Sequence, residues 1–202
     1  MKSVITIGRQ FGCGGRAICK RLSEELNIPF YDRELIEYAA QNSGISPEVL
    51  EQYDEKATNS LLYSLSISAY SYAGTAMNTP HLPLNDQLFI SQSEVIKQLA
   101  DKGPCIILGR CSDYVLKDRD DVLNVFIHCD LDTKIQNIID RLGVSKSKAA
   151  DIIKKTEKRR ATYYNYYTHQ KWGELKNFDL SINSDIGIDK VVETIKNVYK
   201  NN

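Results

Sequence analysis

Residues 5–26, ITIGRQFGCGGRAICKRLSEEL, constrain the fold more than any other stretch of the chain. A short run of β-branched residues gives way to a turn with glycines at 12, 14 and 15. An apolar stripe at Ile18, Leu22 and Leu26 follows at helical spacing. Glycines open backbone torsions closed to other residues, so successive amide hydrogens can turn inward and cradle an anion at the helix N-terminus. Against the common phosphate-loop pattern G-x-x-x-x-G-K-[ST], Arg9 takes the first glycine and Gly14 the second. Gly15 falls on the lysine and Arg16 on the Ser/Thr. Shifting the alignment by one makes Arg16 the cation and places Ala17 where a hydroxyl would meet Mg²⁺. The order of strand, glycines, cation and helix favours phosphate binding over a purely structural turn.

The remaining apolar runs are equally short: 105–109, 124–129 and 179–183 read as parallel strands buried on both faces. Between them helical patterns run over 32–42, 46–56, 86–102 (capped by Asn85 or Asp86), 130–142 and 145–168 (capped by Ser145). A last one ends near 199. Alternating strands and helices predict an α/β fold with a mostly parallel sheet. The expectation is one domain over 1–202 with a helical insertion at about 31–95 and a basic one at about 143–172. The segment 57–84 carries little pattern beyond a turn at NTPHLP, and its Tyr/Leu-rich part, 60–73, is a candidate homodimer interface.

Composition narrows the function classes. The formal net charge is zero, which removes the electrostatic footprint of a general nucleic-acid or membrane-surface binder. No apolar run approaches a membrane span and the N-terminus shows no signal-peptide pattern, so the expected location is cytoplasmic. Five cysteines without C-x-x-C spacing read as buried free thiols. The three histidines show no zinc-binding spacing.

Charge is unevenly placed. Residues 134–171 hold ten Lys/Arg against three Asp/Glu, whereas 30–60 hold two against seven. Arg110 falls just past a buried strand, where open α/β sheets bind ligands, and suits a phosphate or carboxylate clamp. Asp32 and Arg33 follow another apolar step; Asp32 reads as an N-cap or as a metal or ligand contact. On the basic arm, Lys155 and Arg159 lie four apart, as do Arg160 and Tyr164, the pattern of a cationic flap over phosphates. The neighbouring tyrosines and Trp172 read as hinge packing.

The stretches GRQFGCGGR, FYDREL, ILGRCSDYVL, VFIHCD and EKRRATYYNYYTHQKWG together resemble the cytidylate kinase-like family, divergent P-loop nucleoside monophosphate kinases. The resemblance implies a three-layer kinase with a parallel-sheet core, a monophosphate-binding insertion and a lid, using ATP and Mg²⁺. It places ATP phosphates on Gly12, Cys13, Gly14, Gly15, Arg16 and Ala17, with Arg159 nearby. Arg110 would contact the acceptor phosphate, Asp32 and Arg33 would lie in the acceptor segment, and Arg141 and Arg160 would act from the lid. Arg16, Arg110, Arg141 and Arg160 are then the candidate catalytic cations. The chain departs from cytidylate kinases proper at Gly15, where they carry lysine, and at Cys111, where they carry aspartate after the G-R pair. A nucleotide-binding regulatory protein without efficient catalysis is the rival reading that those departures suggest.

Overall fold

The computed structural model describes residues 2–32 and 84–201. Five parallel strands form one sheet: β1 (Val4–Arg9), β2 (Phe30–Tyr31), β3 (Cys105–Leu108), β4 (Val122–His128) and β5 (Leu180–Asn183), in the order β2-β3-β1-β4-β5. Helices α1 (Gly15–Leu26), α2 (Leu84–Lys102), α3 (Ser112–Val115), α4 (Leu131–Leu142), α5 (Lys146–Thr168) and α6 (Ile188–Asn201) connect and cover it. The two-residue alternation of side chains along a strand divides the core into two layers. Ile5 and Ile7 face Ile18 and Leu22 of α1 and Val191, Val192 and Ile195 of α6. Val4 faces the opposite way, with Cys105 and Ile107, onto Val95, Ile96 and Leu99 of α2. Both faces are covered, which is why these strands read as unbroken apolar runs.

The strand and helix expectations hold within a residue or two, and local chemistry fixes the ends. Asn27 closes α1 at φ 53°, its N–H bonding the Ser23 carbonyl. The Ser145 hydroxyl accepts from Lys148 N at 3.3 Å and opens α5. One boundary moves: α2 begins at Leu84, so Asn85 and Asp86 occupy its first turn and do not cap it. Asp86 is instead held by the Tyr167 hydroxyl at 3.0 Å, a contact from the far end of α5 that no local pattern encodes. The helices expected over 32–42 and 46–56, the segment 57–84 up to residue 83, and Arg33 lie outside the described residues. All five cysteines are buried and none is in a disulfide. Among the described residues no helix is long and apolar enough to cross a membrane.

At the amino end of the sheet a polar clasp closes the central strands. Arg119 donates to both Asp121 carboxylate oxygens at 2.9 Å and also reaches Asp101. The Ser3 hydroxyl donates to Asp121 as well. The carboxyl ends of the strands carry the glycine loop and Arg110, and there the cavities open.

Candidate active site

β1 ends at Arg9 in the centre of the sheet, and the chain then turns through Gln10–Gly14 into α1. Gln10 N donates to the Ile127 carbonyl at 3.0 Å, and the Gln10 side chain accepts from Cys129 N at 3.4 Å, tying the loop to β4. Gly12 has φ +89°, and a Cβ there would lie 3.1 Å from the Lys134 backbone, so glycine is required on both counts. Gly14, at φ +73°, is the left-handed residue that starts α1. Cys13 is buried beneath the loop with its thiol donating to the Gln10 carbonyl at 3.0 Å; burial raises its pKa.

Helices α4 and α5 form a hairpin that leans on this loop. The Asn137 amide donates to the Gly12 carbonyl at 2.7 Å. Lys134, buried, pairs with Glu157 at 3.0 Å, and the same Glu157 oxygen accepts from Phe11 N at 3.3 Å. The Phe11 ring packs against the Ile138–Ile153 cluster, with the guanidinium carbons of Arg141 and Arg160 at 4.9 and 5.4 Å from its centroid. Arg160 also donates to the Arg9 carbonyl at 3.2 Å. Arg141 and Arg160, 19 residues apart in sequence, are thus brought together on one loop residue.

An open cleft of about 950 Å³ lies over the loop, lined by Arg9, Gly12, Gly14, Gly15, Arg16, Ala17, Asp32, Arg141 and Arg160 among others. Arg16 stands at its rim, 71% exposed, with Asp32 at 3.6 Å. Asp32 is the one carboxylate among the described residues lining this cleft, and no hydroxyl side chain joins it there. Among the described residues there is no group of three or more metal-ligating side chains. Among the described residues Asp32 is the side chain that would hold a Mg²⁺ at this cleft, and these residues form no all-protein cage for one.

Beside the cleft a smaller cavity of about 40 Å³ is lined by Arg9, Arg110, Asp113, Arg160, Tyr163 and Trp172 with their neighbours. After β3, Gly109, Arg110 and Cys111 take φ values of 76°, 61° and 55°, a left-handed turn. For the two non-glycine residues this conformation costs about 1 kcal/mol each. It aims Arg110 at the cavity. Burial draws Arg110 down to about 10; Tyr163 and Asp32 oppose the shift, and the cations Arg9 and Arg160 add to it. It still carries its charge at neutral pH.

The walls of that cavity come from the hinge of α5. Tyr164 donates its hydroxyl to Asp113 at 2.6 Å, both side chains being buried. Burial raises the Asp113 pKa, against the pull of that hydrogen bond. Phe89 stacks on Tyr167 at 4.1 Å, and Trp172 meets Phe126 edge-on at 5.7 Å. The tyrosines and Trp172 are packing residues here, as their sequence context suggested. Of the sequence candidates, Arg159 and Lys155 project from the opposite, exposed face of α5 and line neither cavity. Sequence reasoning passed over Arg9, Phe11, Lys134 and Asn137. The position of Arg9 on the first glycine of the loop pattern was the available signal.

A family model described as the cytidylate kinase-like family matches residues 4–186. The chain belongs to that family. Its fold is that of P-loop kinases. An uncharacterized protein from Eubacterium ventriosum superposes with a TM-score of 0.74 at 26% identity, each chain covered completely. A shikimate kinase from Bacteroides thetaiotaomicron gives 0.56 at 14% identity over 98% of both chains. Another, from Acinetobacter baumannii in complex with shikimate, gives 0.51 at 11% over 98% of this chain and 93% of that one. At such identities the shikimate kinases share the fold alone. Among curated proteins none matches the sequence.

Proposed function

We propose that the protein is an ATP- and Mg²⁺-dependent phosphotransferase whose acceptor is a small phosphorylated molecule, a nucleoside monophosphate. The observation that carries this reading is the convergence of the glycine loop, Arg110, Arg141 and Arg160 at the carboxyl edge of one parallel sheet. In phosphoryl transfer the protein does little covalent work; it positions the two substrates in line and neutralises charge on the migrating group. The loop amides and Arg16 hold the ATP phosphates, Arg110 holds the acceptor phosphate, and Arg141 and Arg160 approach from the α4–α5 hairpin, which serves as the lid. Mg²⁺, when bound through Asp32, would supply charge neutralisation. No side chain is assigned as general base. The absence of nucleic acid from the partners, the cytoplasmic location and a homodimer through 60–73 remain part of the same proposal.

The test is ADP formation from ATP and Mg²⁺ across CMP, dCMP, UMP, AMP, GMP and, because of the fold neighbours, shikimate. A preferred monophosphate, with turnover reduced about 10²–10³-fold in Arg110→Ala, is the expected result. That Asp32 is the one carboxylate among the described residues of the cleft, with no hydroxyl side chain beside it among them, favours a second reading, a nucleotide-binding regulator. ATP that raises the melting temperature while no acceptor is phosphorylated would select it.

A further inference from the structure

The P-loop lysine is absent from this sequence, and Gly15 occupies its alignment position. The space above Gly15 is filled: a Cβ placed there would meet the Arg9 side chain at 3.0 Å from Cγ and 3.2 Å from Cβ. The Arg9 stem therefore runs across the first residue of α1, over the spot from which a lysine would rise. Its guanidinium continues to the exit of β3. There Gly109, at φ +76°, leaves it room, since a Cβ at 109 would sit 2.1 Å from Arg9 Nη1. Two glycines on two different strand exits are thus shaped around one arginine. The side chain they accommodate borders both the loop cleft and the Arg110 cavity.

Electrostatics gives that arginine a task. The described residues lining the two cavities include the cations Arg9, Arg16, Lys20, Arg110, Arg141 and Arg160 and the carboxylates Asp32 and Asp113. Asp113 is occupied by the Tyr164 hydroxyl. These cations line the sheet edge where an anionic ligand would sit. Arg16 meets it from the solvent rim, whereas Arg9 meets it from the floor, between loop and Arg110.

We propose that Arg9 replaces the P-loop lysine: its guanidinium binds the terminal phosphates of a nucleoside triphosphate from the strand side, and Gly15 is glycine because the arginine stem lies over it. The proposal deepens the phosphotransferase reading, although it concerns binding and can be judged without turnover. A planar, bidentate donor delivered from β1 does what a lysine delivered from α1 does in the common loop.

The experiment is a set of calorimetric titrations of ATP and inorganic triphosphate, with turnover and melting temperature measured on the same variants. Arg9→Ala should raise both dissociation constants about 10–100-fold, Arg9→Lys less, and Arg16→Ala less than Arg9→Ala. Gly15→Lys alone should also weaken binding, because the new stem collides with Arg9. The double variant Arg9→Ala/Gly15→Lys restores the common arrangement and should recover most of the affinity. Unchanged affinity in a folded Arg9→Ala overturns the proposal. So does a loss that Gly15→Lys fails to relieve, since a lysine at 15 cannot replace a mere strut of the loop. Should Arg9→Ala not fold, Arg9→Gln and the double variant carry the same comparison. Wild-type protein that binds triphosphate yet phosphorylates no acceptor sinks the kinase reading and leaves Arg9 to be judged on affinity. Wild-type protein that binds neither ligand overturns both.

Discussion

Glu157 offers a sharp test of how the glycine loop is held. Its Oε1 accepts from two elements at once, Lys134 Nζ at 3.0 Å and Phe11 N at 3.3 Å. The Lys134 side chain is only 7% exposed, so Glu157→Gln leaves an ammonium in a poorly solvated place with a neutral partner. Removing one partner of a fully buried pair costs about 3–5 kcal/mol. Glu157 is 22% exposed, and the glutamine oxygen can still accept one hydrogen bond, so about 2–3 kcal/mol is expected here. Lys134→Met should cost less, about 1 kcal/mol, because Glu157 keeps the Phe11 amide and some water. The double variant should then lose about 2 kcal/mol less than the sum of the singles, a coupling that urea denaturation of all four proteins measures directly. ATP affinity should follow in the same order, because Phe11 and Gly12 rest on this pair. Additivity within about 0.5 kcal/mol would refute the latch, as would a Glu157→Gln protein of unchanged stability and affinity.

Three further outcomes follow from other contacts. Tyr164→Phe strands a buried Asp113 oxygen and should cost about 1–3 kcal/mol. Burial already raises the Asp113 pKa, so the folded protein holds this proton more tightly than the unfolded chain and stability falls as pH rises through the folded value. Without the phenol the penalty should grow as pH rises through the folded value of Asp113, read in paired urea melts across pH. Asp121 is the opposite case: hydrogen bonds from Arg119, then Ser3, pull it from 3.8 to about 2. Its contribution is present above the ordinary carboxylate range and disappears as pH falls through about 2. With a third of the side chain exposed, Asp121→Asn should cost about 1 kcal/mol at neutral pH, a difference that closes toward pH 2 in thermal melts. Gly12→Ala should destabilise by about 2 kcal/mol and loosen the loop, since the left-handed φ and the Lys134 backbone both oppose a side chain; unchanged melting would contradict the loop geometry.

The strands and long helices were legible in the sequence because their signals are local. An apolar run such as VITIG has one period and one burial state, and a Ser145 cap or an Asn27 stop acts over three or four residues. The loop was legible for the same reason, as was Arg110, which needs only a strand end before it. Arg159 shows the limit of such reading. It was a candidate as the neighbour of Arg160, but only packing decides which of two adjacent arginines turns inward, and that packing involves Ile153, Phe11 and the aromatic cluster around Tyr163 and Tyr164. The Asp86–Tyr167 and Lys134–Glu157 pairs, 81 and 23 residues apart, had no local signature at all.

By itself, then, the chain determines a parallel α/β sheet with a glycine-rich turn after its central strand, because periodicity and glycine torsions are properties of neighbouring residues. Which cations line that turn is decided only in three dimensions. Arg9 is the last residue of a strand in sequence; it becomes a candidate phosphate ligand because Gly15 and Gly109, on different segments, leave a channel for its side chain. Such a vacancy is made by backbones meeting, and no spacing within either segment records it.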